Sequence, residues 1–356
     1  MAELLKQPDP YLYEFVPKIV SSYYSIIPDG VEETTYLSLL FSKSFPFQVK
    51  SSKHSQKFDE ALVELSAVLA GAATIPNPKR PRLKGLELSS FLTQAFEVHN
   101  SILNCEAYPE SWFSVHVYNH RATVKSLEYL ATILTNKFLP SPDDAETFDT
   151  RLWETFFMTL LKVVSSDALA LETYPEQKRR AIWKIAGDVR EQGADLLHSS
   201  WESIGWETTD EEREHYGLSK LGGYQVQYVP GLVAPIIELC LSVHEGLRHV
   251  AVDILRTMIL SEWGLNQDLS IIETEVISSL DNLFKRKNMS ESVVQKLFIA
   301  ELSDHFEGSA DYDEDLSSAV KALIATVDEL LDLFVASQGG SMAESLHTLR
   351  LMKYMK

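Results

Sequence analysis

The sequence predicts an all-α protein whose helix pairs stack as an irregular α-solenoid. Three observations carry this expectation. Glycine is scarce, at 15 of 356 residues, and no alternating strand pattern is sustained. Apolar residues recur instead at three- and four-residue intervals along most of the chain. From Pro230 onward, short and long helical segments alternate with brief breaks. Two helices per unit of about 40 residues is the period of HEAT and armadillo arrays, in which each pair buries its apolar stripe only against its neighbours.

Taken in order, helices are expected at 11–26, 33–41 and 56–69, the last with Phe58, Leu62, Leu65 and Leu69 on one face. The segment PNPKRPRLKG at 76–85 reads as an exposed loop because its prolines break helical continuation. Helices resume at 86–103 and 111–138, the second long enough to invite a break. PSPDD at 140–144 is a turn and N-cap cluster. The window 150–169 then aligns Leu152, Trp153, Phe156, Phe157, Leu160, Leu161 and Val164, and 175–201 forms another long pattern. The polar, glycine-containing 205–225 region reads as a partly mobile loop. PGLVAPIIELCL follows, then HEGLRHVAVDILRTMILSEW at 244–263, a break at Gly264, and helices at 269–284, 290–306 and 317–334. The terminal SLHTLRLMKYMK keeps helical spacing through Leu346, Leu349, Met352 and Met355 with no stop signal after it, which suits a piece of a longer protein. Organisation is expected as an N-terminal helical segment over 1–148, with its basic loop at 76–85, and repeats over 149–356.

Composition narrows the function classes. A net charge of −19 argues against a general nucleic-acid binder, which needs clustered Lys and Arg to release counterions. No window approaches the roughly 18 apolar residues of a membrane span, and MAELLKQPDPYLYEF has neither a basic n-region nor an h-region, so a cytoplasmic protein is expected. Cys105 and Cys240, the two cysteines, sit in apolar surroundings, which suits a reducing compartment.

HEGLRH comes within one position of the HExxH zinc signature. HExxH works because histidines four apart share a helical face while the glutamate acts as general base. His244 and His249 are five apart, so they diverge by roughly 140° around the axis and do not readily share an ion. The helix reads first as a packing element, with Leu247, Val250, Ala251, Ile254, Leu255, Met258, Ile259 and Trp263 in its stripe and Glu245, Arg248, Arg256 and Glu262 mainly outside it. His116 and His120 in VHVYNH do have four-residue spacing, but no glutamate follows the first and no third ligand pattern lies nearby. They define the rival reading, a self-contained helical metal-dependent hydrolase. No phosphate-binding loop, dinucleotide fingerprint or nucleophile elbow occurs, so no catalytic, cofactor-binding or metal residue is assigned. PKRPRLK at 78–84 resembles a nuclear-localisation or anionic-lipid patch. EQKRRAIWK at 176–184 is a second basic cluster, read as the solvated face of a packed helix because Ala181, Ile182 and Ile185 interleave it. The acidic run SDHFEGSADYDEDL lacks calcium-loop spacing and reads as a solvated linker.

Two blocks exceed what composition explains. SSDALALETYPEQKRRAIWKIAGDVREQGADLLHSSWESIG at 165–205 contains KRR followed by GDVR (Gly187 to Arg190) and a W-x-x-x-G spacing from Trp201 to Gly205. QYVPGLVAPIIELCLSVHEGLRHVAVDILRTMILSEW at 227–263 contains VPGLVAPIIEL, GLRHVAVDIL and the acidic-aromatic SEW. In this order, with IETEVISSLDNLF at 272–284 and LHTLRLMKYMK after them, they resemble the helical spacer of DOCK-family (dedicator of cytokinesis) guanine-nucleotide exchange factors. The resemblance covers 165–356 and is weak before Phe148; the charged stretch 207–220 departs from the expected pattern. It implies armadillo-like repeats joining an upstream lipid-binding domain to a downstream exchange domain that acts on Rho-family GTPases, with an ELMO-like partner and self-association among the expected contacts. No exchange domain is recognisable here, so the resemblance implies a non-catalytic scaffold segment, recruited to the plasma membrane through domains outside this chain.

Overall fold

The computed structural model describes residues 17, 18, 20, 21, 83–104, 113–286, 292–307 and 314–337. The expected helices at 33–41 and 56–69, most of 11–26, the basic loop up to residue 82, Cys105 and the terminal LHTLRLMKYMK lie outside them. Two compact units divide the chain, Met1–Leu197 and His198–Lys356. Each is all-α in its described residues apart from one short strand pair in the second.

In the first unit the helices are α1 (Gly85–Asn104), α2 (Phe113–Lys137), α3 (Thr150–Val164), α4 (Glu176–Ala186) and the first part of α5 (Val189–Ile204). Helix α1 packs on α3, and α2 on α3 and α4, so helices contact their next-but-one neighbours as in two-layer repeat stacking. The stripe read at 150–169 is the centre of this core: Trp153, Phe156 and Phe157 are fully buried, with Phe156 stacking at a tilt on Phe96 of α1. Asp149, not the PSPDD cluster, caps α3, accepting from Leu152 N at 3.1 Å. Trp153 Nε1 donates to the Phe138 carbonyl at 3.0 Å, satisfying an acceptor beyond the end of α2. Asn100 Nδ2 donates to Thr159 Oγ1 at 2.8 Å, tying α1 to α3.

The long 175–201 pattern is two helices. Gly187 ends α4 with φ at +68°, a backbone conformation costly for any residue with a Cβ. Asp188 then starts α5 by accepting from Arg190 N at 3.0 Å and Glu191 N at 3.1 Å. Further along α5, a Cβ on Gly193 would lie 2.3 Å from Val164 Cγ1, so glycine here permits the close approach of α5 to the end of α3. Helix α3 itself stops at Val164, and the rest of the expected 150–169 helix is a 3₁₀ turn, Asp167–Leu169.

In the second unit, the rest of α5 precedes β1 (Trp206–Glu207), α6 (Asp210–Tyr216) and β2 (Lys220–Leu221), the strands pairing antiparallel. The 205–225 region is therefore built structure and not the loop its polarity suggested. Thr209 and Glu212 form a reciprocal capping box on α6, and Thr208 Oγ1 donates to the Leu218 carbonyl at 2.7 Å. A 3₁₀ segment, Gly223–Tyr228, leads to α7 (Val233–Cys240), α8 (Glu245–Asn266), α9 (Ser270–Arg286), α10 (Ser292–Glu307) and α11 (Glu314–Ser337). Helix α7 packs on α8 and α9, α8 on α10, α9 on α11, and α10 on α11. This is again alternate layering, here with α7, α9 and α11 in one layer and α8 and α10 in the other.

Helix α8 runs through Gly264 without a break and ends where Gln267 turns left-handed, at φ +54°. Its burial is broader than the predicted stripe. Leu247, Ala251, Ile254, Leu255, Met258 and Ile259 are buried as expected, but so are Val252, Leu260, Arg248 and Glu262. Being covered on more than one side, by α7, α10 and the Gly223–Tyr228 segment, leaves little of its middle for solvent. Arg248 and Glu262 were expected mainly outside the stripe, and that expectation fails for this reason.

Candidate functional site

The residues singled out for chemistry separate in space. His244 is the N-cap of α8, its Nδ1 accepting from Leu247 N at 3.1 Å, so its ring serves the backbone. His249, 52% exposed, turns to two carboxylates instead: Nδ1 lies 3.3 Å from Glu301 Oε2 on α10, and Nε2 3.6 Å from Glu245 Oε1. The two histidines of HExxxH thus have different partners. Among the described residues no group of three His, Cys, Asp or Glu is placed to hold a metal ion. His120 is buried in the first unit, with Nδ1 2.7 Å from the His116 carbonyl and Nε2 2.9 Å from Ser166 Oγ. Burial keeps its pKa below the usual histidine value. It ties α2 to the turn after α3.

What the fold does assemble is a charged seam between α8 and α10. Arg248 Nε donates to Glu301 Oε1 at 2.7 Å, with the arginine side chain 5% and the glutamate 16% exposed. Arg248 Nη1 adds a bond of 3.3 Å to the Ser242 carbonyl just before α8. About one turn along, His305 Nε2 lies 3.1 Å from Asp253 Oδ1. Burial lowers the His305 pKa and outweighs the opposing pull of Asp253. Spacing explains the register: 249 and 253 on α8, and 301 and 305 on α10, are each one turn apart, so pairs repeat along the seam. Below it the Cys240 thiol is fully buried; burial pushes its pKa well up, and Glu301 adds to that, so the sulfur is an apolar packing group and not a nucleophile.

A second junction gathers around Trp201. Its Nε1 donates to Thr257 Oγ1 on α8 at 2.8 Å, its carbonyl accepts from Gln225 Nε2 at 2.9 Å, and its ring meets Tyr228. Arg256 Nη2 reaches the Tyr216 carbonyl at 2.5 Å, fixing the end of α6 against α8. In the first unit Arg190, last residue of GDVR, is buried and bonds Glu172 Oε1 at 2.9 Å. The motif is thereby explained as architecture: a helix stop, a helix cap and an inter-element ion pair.

The same stretches that carry GDVR, W-x-x-x-G and the α8 packing stripe fall within residues 83–298, which match the family described as Dedicator of cytokinesis (DOCK) TPR region. The chain belongs to this family. Dedicator of cytokinesis protein 4 of Homo sapiens is 24% identical over 246 residues, covering 69% of this chain and 11% of that protein. Dedicator of cytokinesis protein 3 of Mus musculus is 24% identical over 206 residues, covering 58% of this chain and 9% of that protein. The chain therefore spans about a tenth of the length of these relatives. The DOCK match begins at residue 83, upstream of the residue-165 start of the motif resemblance, and it takes in α1 to α3 as well.

The sequence did not disclose the seam residues as partners. Arg248 and Glu301 are 53 apart and Trp201 and Thr257 are 56 apart, so no local spacing links them. The available signals were Arg248 at the edge of an apolar stripe, and Glu301 with His305 one turn later on a helix otherwise read for its apolar spacing.

Proposed function

We propose that the chain is a non-catalytic helical scaffold segment of a DOCK-type guanine-nucleotide exchange factor for Rho-family small GTPases, spacing flanking domains and offering surfaces to partners. The observation that carries this reading is the family match itself, which falls on a helical repeat region. The use of the chemistry-bearing residues supports it: His244 caps a helix, His120 and Arg190 tie elements together, and Arg248 with Glu301 joins two layers. Stacked helix pairs suit such a role because the packed core sets distance and angle while the outer faces remain available for binding. An ELMO-like protein and a second copy of the chain are the partners this reading brings with it. Its organisation, 1–148 as an N-terminal helical segment and 149–356 as repeats, belongs to the same proposal. Fluorescent-GDP release from a panel of Rho-family GTPases tests it. The chain is expected to leave every release rate at its intrinsic value, and a clear stimulation by the chain overturns the scaffold reading.

A further inference from the structure

We propose that α4 is a docking face for an anionic lipid bilayer. The chain as a whole is strongly acidic, at −19, yet this single helix carries Lys178, Arg179, Arg180 and Lys184 against one carboxylate, Glu176. Burial is confined to one side: Ile182 and Ala186 are buried, and every other position from Glu176 to Lys184 is exposed. At 100° per residue, Arg180 and Lys184 fall opposite those two, while Trp183 stands at one flank, between Arg180 and an Arg179 that borders the buried edge. Trp183 is 55% exposed in the middle of these cations. The Lys178 ammonium lies 3.9 Å over the Tyr174 ring just before the helix, placing a second aromatic at the same end. Glu176 pairs with Arg180 one turn on, and four cations against this one carboxylate give the helix a net positive charge.

A tryptophan set among long cationic side chains is the pattern of a membrane interface. The indole sits at headgroup depth while Lys and Arg stems lie along the surface and their charges reach lipid phosphates. A helix exposed on nearly every position meets a planar bilayer more readily than it encloses a peptide, which favours lipid over an acidic protein. The acidic remainder of the chain is repelled by the same surface, so contact concentrates on α4 and fixes one orientation. This inference does not depend on the exchange-factor reading.

Co-sedimentation of the 356-residue chain with vesicles of phosphatidylcholine alone, or with added phosphatidylserine, tests it. The chain is expected to bind the phosphatidylserine vesicles and to release them as salt rises. Brominated lipid should quench tryptophan emission, and Trp183→Phe should remove that quenching. Arg179→Glu combined with Lys184→Glu should weaken binding by about tenfold or more, since attraction scales with the number of cations at the surface. Both substitutions are at exposed positions, so helix content and the melting midpoint should not change. Binding that ignores phosphatidylserine, or that survives the charge reversal, overturns the proposal. So does a chain that ignores both vesicles and is captured by polyglutamate, which would assign the face to an acidic protein.

Discussion

His99 offers the sharpest test of how the first unit is built. It lies on α1 at 0% exposure, and neither ring nitrogen has a hydrogen-bond partner among the described residues. Burial without a counter-charge holds its pKa down at about 4, against 6.5 for a solvated imidazole. The folded state therefore binds fewer protons than the unfolded state between these values, and stability is full above about pH 6.5 and lost as pH falls towards 4. Each unit of pKa difference corresponds to about 1.4 kcal/mol, so the full loss is about 3 kcal/mol, of which about 2 kcal/mol is already gone near pH 5. His99→Leu replaces the imidazole by an apolar group of similar size and removes this dependence. At neutral pH it should also relieve the unsatisfied ring nitrogens, a gain of about 1 to 3 kcal/mol. Because two compact units share the chain, the appropriate assay is hydrogen exchange of α1 and α3 amides, compared between wild type and variant from about pH 7.5 to 5. The advantage of the variant should widen by about 2 kcal/mol over that range. A difference that stays flat with pH, or a variant less stable than wild type at both ends, refutes the account of a neutral, unpartnered imidazole.

Two further predictions concern the second unit. Ile254→Ala, at a buried position in α8, should cost about 2 to 5 kcal/mol through lost transfer energy and an unfilled cavity. By contrast, His249→Ala should cost less than about 1 kcal/mol, because the His249 side chain is about half exposed to water; thermal melts separate the two, and a more damaging histidine change would mean that α8 carries more than packing. Glu301→Ala should cost about 3 to 5 kcal/mol by leaving the Arg248 guanidinium buried without its carboxylate, whereas replacing Arg248 and Glu301 together by Met and Leu should recover most of that loss. Denaturant midpoints of the three proteins check this, and a harmless single substitution would show that water already solvates the arginine.

The sequence by itself determined the all-α class, most of the helices among the described residues and the family. These are local properties: apolar spacing at 3.6 residues per turn, capping residues, and short motifs whose order along the chain is specific. The α3 stripe and the lower part of the α8 stripe were legible because each requires a face of one helix and nothing else. The sequence was least legible where a residue's role depends on something distant. Its 205–225 region looked like a loop because polarity is all a local reading sees; β1 pairing with β2 and Arg256 reaching Tyr216 are what order it. Arg248 looked like a solvent-facing cation, and only α10 arriving with Glu301 makes its burial tolerable. A single positive φ at Gly187 cut one long pattern into two helices, which periodicity alone cannot register. Tertiary structure decided these points because burying a charge or turning a backbone is favourable only once partners far along the chain have been brought into place.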